Sequence, residues 1–536
     1  MTDHTDNPKP GQKASTAQVA NPYPIVEVSS GRLRGALING VYTFKGVPYA
    51  ESTAGAHRFL APRPITWAGV RDALVLGPRS PQNEPHSDAP YHSWLRDNSA
   101  EREDCLVLNV FTTSLAPTAR RPVMVYLHGG GFVISSGDTP GVDGSNLARQ
   151  DAVVVTVNHR LNLFGYLYLG NADGGKYAES TNAGLLDLIA SLKWVRDNIA
   201  RFGGDPDNVT LFGQSGGGSK VALMMSMPQA QGLFHKAIIQ SASSLLRMAT
   251  LEEAERNTHH FLKQLGLDTS GLRALHELPV QTLLQAMPAA IKAAGGIDNF
   301  RPVVDGQTLP SQPFEEAALR LSRNVPMMTG WCENEQRLAF AARPAVYQQS
   351  PEDALSRTAH ALDVPLADAA RLTEVYRQGR PLDSAGDIYT QILGDHRYRR
   401  SVTRAAEKKA SYGGAPAYLY LLNWKTPVQG GMLRAPHTMC LAFTFANVAV
   451  ASGMVGNAPE PLVLQEQMAG AWLAFARTGN PNHGALPAWL PYNMNERPTM
   501  VFDRETRLVN DPLREERIAF EDFPRYVAAH GESRSF

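Results

Sequence analysis

NVTLFGQSGGGSKVALMM, residues 208–225, carries a β-prone run into a cluster of glycines around one serine and on into an apolar stretch of helix formers. Two chemistries use such a strand-to-helix turn: a loop whose backbone N–H groups cradle phosphate, and an elbow that presents a nucleophilic serine. A phosphate loop needs G-x-x-x-x-G-K-[ST], because the lysine must reach the phosphates and the hydroxyl must hold the metal. Gly213 and Gly218 have that spacing, but Ser219 stands where lysine is required, and Lys220 comes one place late, followed by Val221. Gly213-Gln214-Ser215-Gly216-Gly217 instead satisfies G-x-S-x-G, whose glycines relieve crowding around a serine in a strained turn. The same residues would also make an ordinary glycine-rich turn, so the surrounding chain has to decide.

Working outward, Val123–Leu127 (VMVYL), Ala152–Val157 (AVVVTV), Val209–Phe212 and Ala237–Gln240 are continuous apolar or β-branched runs. Strands buried on both faces of a parallel sheet read this way. Between the second and third, Leu185, Leu188, Leu192, Val195, Ile199 and Phe202 follow the spacing of one helix face, which predicts a crossover helix. Runs at 325–329, 417–422 and 500–502 extend the sheet, separated by mostly helical insertions. No internal repeat or low-complexity linker interrupts the pattern.

The chain has 536 residues, 43% of them apolar and 19% charged, enough to bury a large core. Lys+Arg 51 balances Asp+Glu 51, leaving no charge excess to attract nucleic acid or an anionic membrane. The first 24 residues are polar and broken by proline, without the apolar core of a signal peptide, and are expected to form a disordered tail. No apolar run reaches membrane-spanning length, so a cytoplasmic protein is expected. Cys105, Cys332 and Cys440 are odd in number and far apart, which argues against a disulfide framework or zinc knuckle.

A serine needs a base, and donors for the oxyanion it creates. His128-Gly129-Gly130-Gly131-Phe132 follows the strand VMVYL directly, and glycines there let N–H groups point into a cavity. Two glycine clusters thus follow two sheet strands in the order an α/β-hydrolase uses.

With these motifs in place, the chain resembles the type-B carboxylesterase and cholinesterase family of α/β-hydrolases, from roughly Pro24 to Tyr526. The segments carrying the resemblance are FKGVPYA from Phe44, EDCLVLNVF from Glu103, VYLHGGGF from Val125, VNHRLNLFGYL from Val157, the run from Asn182 through the serine elbow, APHTMCLAFTF from Ala435 and WLAFARTGNPN from Trp472. The resemblance implies a mostly parallel central sheet flanked by helices, with helical insertions at about 245–320 and 340–412 forming a gorge. It implies one catalytic domain over 25–536, a serine, glutamate, histidine triad, and no cofactor or metal.

Carried over by position, Ser215 matches the nucleophile, and Gly130, Gly131 and Gly216 match the oxyanion donors, the last standing where alanine is usual. In TGWCENEQ, Glu335 falls at the family's offset after Gly330, with Gln336 in place of the usual glycine, and Glu333 is the competitor. His437 in RAPHTMCLAFTF matches the base, although Thr438 replaces a common glycine and Cys440 a common glutamate. Arg160 and Asp187 match a buried structural ion pair. Ser80 stands where the family often has the partner of the cysteine matched by Cys105, so a free buried thiol is expected there. Tyr91 and Trp94 are candidates for the gorge mouth, with packing as the plainer reading.

The expected activity is hydrolysis of small carboxylic esters through an acyl-enzyme, by a monomer or weak homo-oligomer with no nucleic-acid or membrane partner. Amide or carbamate hydrolysis by the same triad is the alternative. A non-catalytic adhesion protein of the same fold is a third reading, against which the presence of Ser215, Glu335 and His437 counts.

Overall fold

The computed structural model describes residues 21–524, apart from 84–86, 171, 244, 246, 269–271 and 296–299. Most of the N-terminal tail expected over 1–24 therefore lies outside the described residues. The strands run, in chain order, β1 Ile25–Val28, β2 Gly31–Arg34, β3 Ala36–Ile38, β4 Val41–Pro48, β5 Val70–Asp72, β6 Val107–Thr112 and β7 Arg121–Leu127. They continue as β8 Val153–Val157, β9 Gly204–Gln214, β10 Lys236–Gln240, β11 Met327–Cys332, β12 Ala417–Leu422, β13 Pro498–Phe502 and β14 Arg507–Asn510. An 11-stranded sheet has the order β14-β13-β12-β11-β10-β9-β7-β8-β6-β4-β3, and β1, β2 and β5 form a separate 3-stranded sheet.

From β8 to β13 every neighbouring pair is parallel. The two margins of the sheet are antiparallel. Every run read as a strand in the sequence lies in the parallel centre. Its side chains alternate between two cores: Val123, Val125 and Leu127 of β7 enter one, and Met124 and Tyr126 enter the other. Burial on both faces is why these strands read as unbroken apolar runs.

The predicted crossover helix spans Ala183–Asn198 and tightens into a 3-10 turn over Ile199–Phe202. All six residues of its apolar stripe have no exposed surface, and they pack in the same core as Val123 and Val125. A helix over Glu460–Thr478 covers the opposite face, with Trp472 and Phe475 in the second core. Further helices occupy 251–293 and 351–412, where insertions were expected.

The chain passes from β7 outward to β8, and from β9 the other way to β10. Loops leaving the carboxyl ends of β7 and β9 must therefore diverge, which opens a crevice between them. In doubly wound sheets ligands bind at such a switch point. The glycine loop at 128–131 follows β7, and Ser215 follows β9.

Candidate active site

Ser215 stands alone between β9 and a helix over Gly216–Met225, with φ 57° and ψ −126°. A non-glycine residue in such a conformation costs about 1–3 kcal/mol and persists only when its surroundings over-determine it. Here Ser215 N donates to Gln240 O of β10 at 2.8 Å, and Ser215 O accepts from Ser219 N at 3.1 Å. Helix and sheet meet backbone to backbone: a Cβ on Gly217 would lie 2.0 Å from the Leu127 carbonyl oxygen. The sequence around the serine thus needs its glycines for close approach.

The loop after β7 lies against this helix start. Gly130 and Gly131 have φ of 77° and 66°. A Cβ on Gly129 would sit 3.4 Å from Ser215 Cβ, and one on Gly216 only 2.2 Å from the Gly131 carbonyl oxygen. Gly129, Gly130, Gly131, Ser215 and Gly216 therefore form one cluster, with the free N–H groups of a helix N-terminus beside the serine.

Glu335 and His437 come together although 102 residues separate them. His437 Nδ1 lies 2.5 Å from Glu335 Oε2, and the backbone N–H of His437 donates to the Glu335 carbonyl at 3.2 Å. The other carboxylate oxygen accepts from Cys332 N at 2.8 Å. Both side chains are buried. The side-chain amide of Gln214, the residue before Ser215, lies over the ring, 3.2 Å from Nε2 and 3.4 Å from Nδ1. The competitor, Glu333, faces elsewhere: Arg380 lies 3.5 Å and Lys425 3.7 Å from its carboxylate. Cys440, standing where the resemblance leads one to expect glutamate, is a buried thiol that accepts from Gln240 Nε2 at 3.5 Å.

Three contacts of this cluster have no counterpart among the sequence motifs. The Tyr398 ring lies on the imidazole, with centroids 4.5 Å apart and planes 34° apart. The Gln214 amide is the second. The third is Lys220, whose Nζ donates to the His128 carbonyl at 2.9 Å and lies 5.7 Å from the centre of the Phe132 ring. Tyr398 gave no signal because only the fold brings it to His437. Lys220 was visible in the quoted stretch, but only as a flaw in a phosphate-loop match.

The remaining candidates are structural. Arg160 and Asp187 form a buried two-pronged pair, at 2.6 and 2.8 Å. Tyr91 and Trp94 are buried in a 3-10 turn, and Trp94 fills the space beside Gly141, so packing accounts for both. Ser80 Oγ accepts from Leu161 N at 3.1 Å, and all three cysteines are free and buried. His396 stacks on Phe520, and burial pushes its imidazole down to about 3. Among the described residues no group of three or more His, Cys, Asp or Glu could hold a metal ion, and no helix is long and apolar enough to cross a membrane.

A largely parallel sheet flanked by helices, with a strained serine at its switch point, defines the α/β-hydrolase class. Within it the chain belongs to the carboxylesterase family, whose model matches residues 22–521. Para-nitrobenzyl esterase of Bacillus subtilis (strain 168) is 36% identical over 502 residues, covering 92% of this chain and 98% of its own. Phenmedipham hydrolase of Pseudarthrobacter oxydans is 32% identical over 492 residues, covering 90% and 95%. A crystal structure of a Geobacillus stearothermophilus carboxylesterase superposes with a TM-score of 0.80 at 36% identity, covering 93% of this chain and all of that one. The protein is a carboxylic-ester hydrolase.

Proposed function

We propose that the chain cleaves esters of broad, moderately apolar range through the triad Ser215, His437 and Glu335, as a single catalytic unit over 25–536. The observation that carries this reading is the buried 2.5 Å contact of Glu335 with His437 Nδ1, on a ring that lies against Gln214, the residue beside the strained serine. In the first step Ser215 Oγ attacks the ester carbonyl carbon while His437 Nε2 takes its proton. The carbonyl oxygen becomes an anion received by the N–H groups of Gly130, Gly131 and Gly216. Glu335 holds the ring through Nδ1–H and balances the imidazolium charge. Nε2–H then protonates the departing alcohol, leaving an acyl-Ser215 ester, and a water activated by the same nitrogen hydrolyses it. Three unpaired thiols support a reducing, cytoplasmic setting.

The test is Ser215→Ala together with stoichiometric labelling of the parent by an organophosphate. The variant should fold as the parent does and lose ester hydrolysis by several orders of magnitude. Activity within tenfold of the parent, in protein free of parent enzyme, would reject Ser215 as nucleophile.

A further inference from the structure

The triad mechanism leaves one buried ionisable group without a task. Lys220 has no exposed surface, and among the described residues no carboxylate pairs with it. Burying an ammonium without a counter-charge is costly, and an apolar side chain would pack the same space at no such cost. The groups facing it come from two further elements. The loop after β7 offers the His128 carbonyl and the Phe132 ring, and the segment after β8 offers His159. The rings of His128 and His159 lie 4.6 Å apart, and both imidazoles are held neutral, first by burial and then by the lysine itself. Among the described residues Nζ donates to the first peptide of the glycine loop.

We propose that Lys220 is a positioning residue for ester hydrolysis: by donating to the His128 carbonyl it ties the 128–131 loop to the helix that carries Ser215, so that the loop N–H groups stand ready for the oxyanion. The inference rests on reading that loop as the oxyanion hole. Lys220 lies on the helix that Ser215 caps, and the tie spans 92 residues of chain to the loop. Loop and nucleophile thereby move as one body. The close approach of Gly131 to Gly216 is what such a tie would produce.

The test compares the full-length parent, Lys220→Met and Lys220→Gln. It measures hydrolysis of a p-nitrophenyl ester, inhibition by an aryl trifluoromethyl ketone, whose serine adduct carries an oxyanion, and thermal unfolding. Active sites are counted by organophosphate titration. Lys220→Met should lower kcat by about tenfold to a hundredfold, since a shift of one ångström in a catalytic group or loss of one oxyanion donor has effects of that size or larger. KM should stay within about threefold, because the uncharged ester carbonyl draws little on those donors. The ketone Ki should rise by the same factor as kcat/KM falls, and the melting temperature should equal or exceed the parent's. Lys220→Gln, which keeps an N–H donor on a shorter arm, should fall between. Unchanged kcat and Ki in the methionine variant would overturn the proposal, as would a loss of kcat with Ki unchanged. Activity lost only in proportion to active sites, or failure of both variants to fold, would assign Lys220 to the fold instead and overturn it equally. Activity surviving Ser215→Ala would sink the underlying mechanism whatever Lys220 does, so the two failures are distinguishable.

Discussion

Glu335 and Glu333 differ by two positions and by everything around them. One carboxylate is shared between an imidazole and a backbone N–H, the other lies among two cations. Glu335→Gln can present its amide to Nδ1 and so favour the wrong ring tautomer, and it removes the charge that balances the imidazolium. We expect kcat to fall by about three to four orders of magnitude, against less than threefold for Glu333→Gln, in steady-state assays. The reverse ranking would displace the acid to Glu333. Gly216 is a sharper case, because the resemblance treats alanine there as ordinary while the structure leaves it no room. A Cβ would lie 2.2 Å from the Gly131 oxygen, so Gly216→Ala must move the loop by about an ångström; kcat should drop by about tenfold to a hundredfold with folding retained. An alanine variant with parental kcat would show that the loop yields freely. Sequence motifs made the serine, the glycines, the glutamate and the histidine legible because each sits in a short constrained turn. Tyr398 and Lys220 meet this cluster from the side, and a side-on contact leaves no local pattern.

The strands and helices that the sequence announced are those whose environment is uniform along their length. The parallel strands are apolar on both faces, and the crossover helix keeps one stripe over its whole run. The separate three-stranded sheet escaped because β1, β2 and β5 have 4, 4 and 3 residues with exposed polar positions, too short for a period to register. One further element was unreadable for a different reason. Helical chain runs without a break from Ala385 to Tyr412, but residues 395–399 form a turn of π-helix. An extra residue in a turn rotates the rest of the helix by about 100° relative to a regular one. Asp395 and Arg399 pair with each other at 2.6 Å, and Asp395 also accepts from Tyr376, while Tyr398 is left over the His437 imidazole. A π turn at a functional site is a recurring device. Removing the ring by Tyr398→Ala frees His437 on one side, at a cost of about 0.5–1.5 kcal/mol of ring contact, so kcat should fall by about twofold to tenfold. An unchanged kcat would mean that Glu335 alone fixes the ring.

At the scale of the molecule, the burial of Lys220 makes a prediction about how global stability responds to pH. Burial pushes its amine from 10.5 down to about 7 in the folded chain. Between those values the unfolded chain binds a proton that the folded chain does not, so this group makes stability rise as pH rises. Below about 7 the charge is carried in both states and the folded state bears the full cost of desolvating it. Lys236 and Lys409 are also pushed down by burial, each to about 8, and pull in the same direction. A profile of the parent alone would mix all three, whereas the difference between the parent and Lys220→Met isolates one. The melting temperature of the methionine variant should exceed the parent's most at about pH 6.5, and the gap should narrow steadily toward about pH 9.5. His128 and His159 are held neutral chiefly by burial, which the substitution leaves in place. A gap that stayed constant across that range would show that the folded chain does not hold this amine away from water and charge. A gap of the opposite sign at its acid end would show that the ammonium stabilises the fold, and its place beside the glycine loop would then need no catalytic explanation.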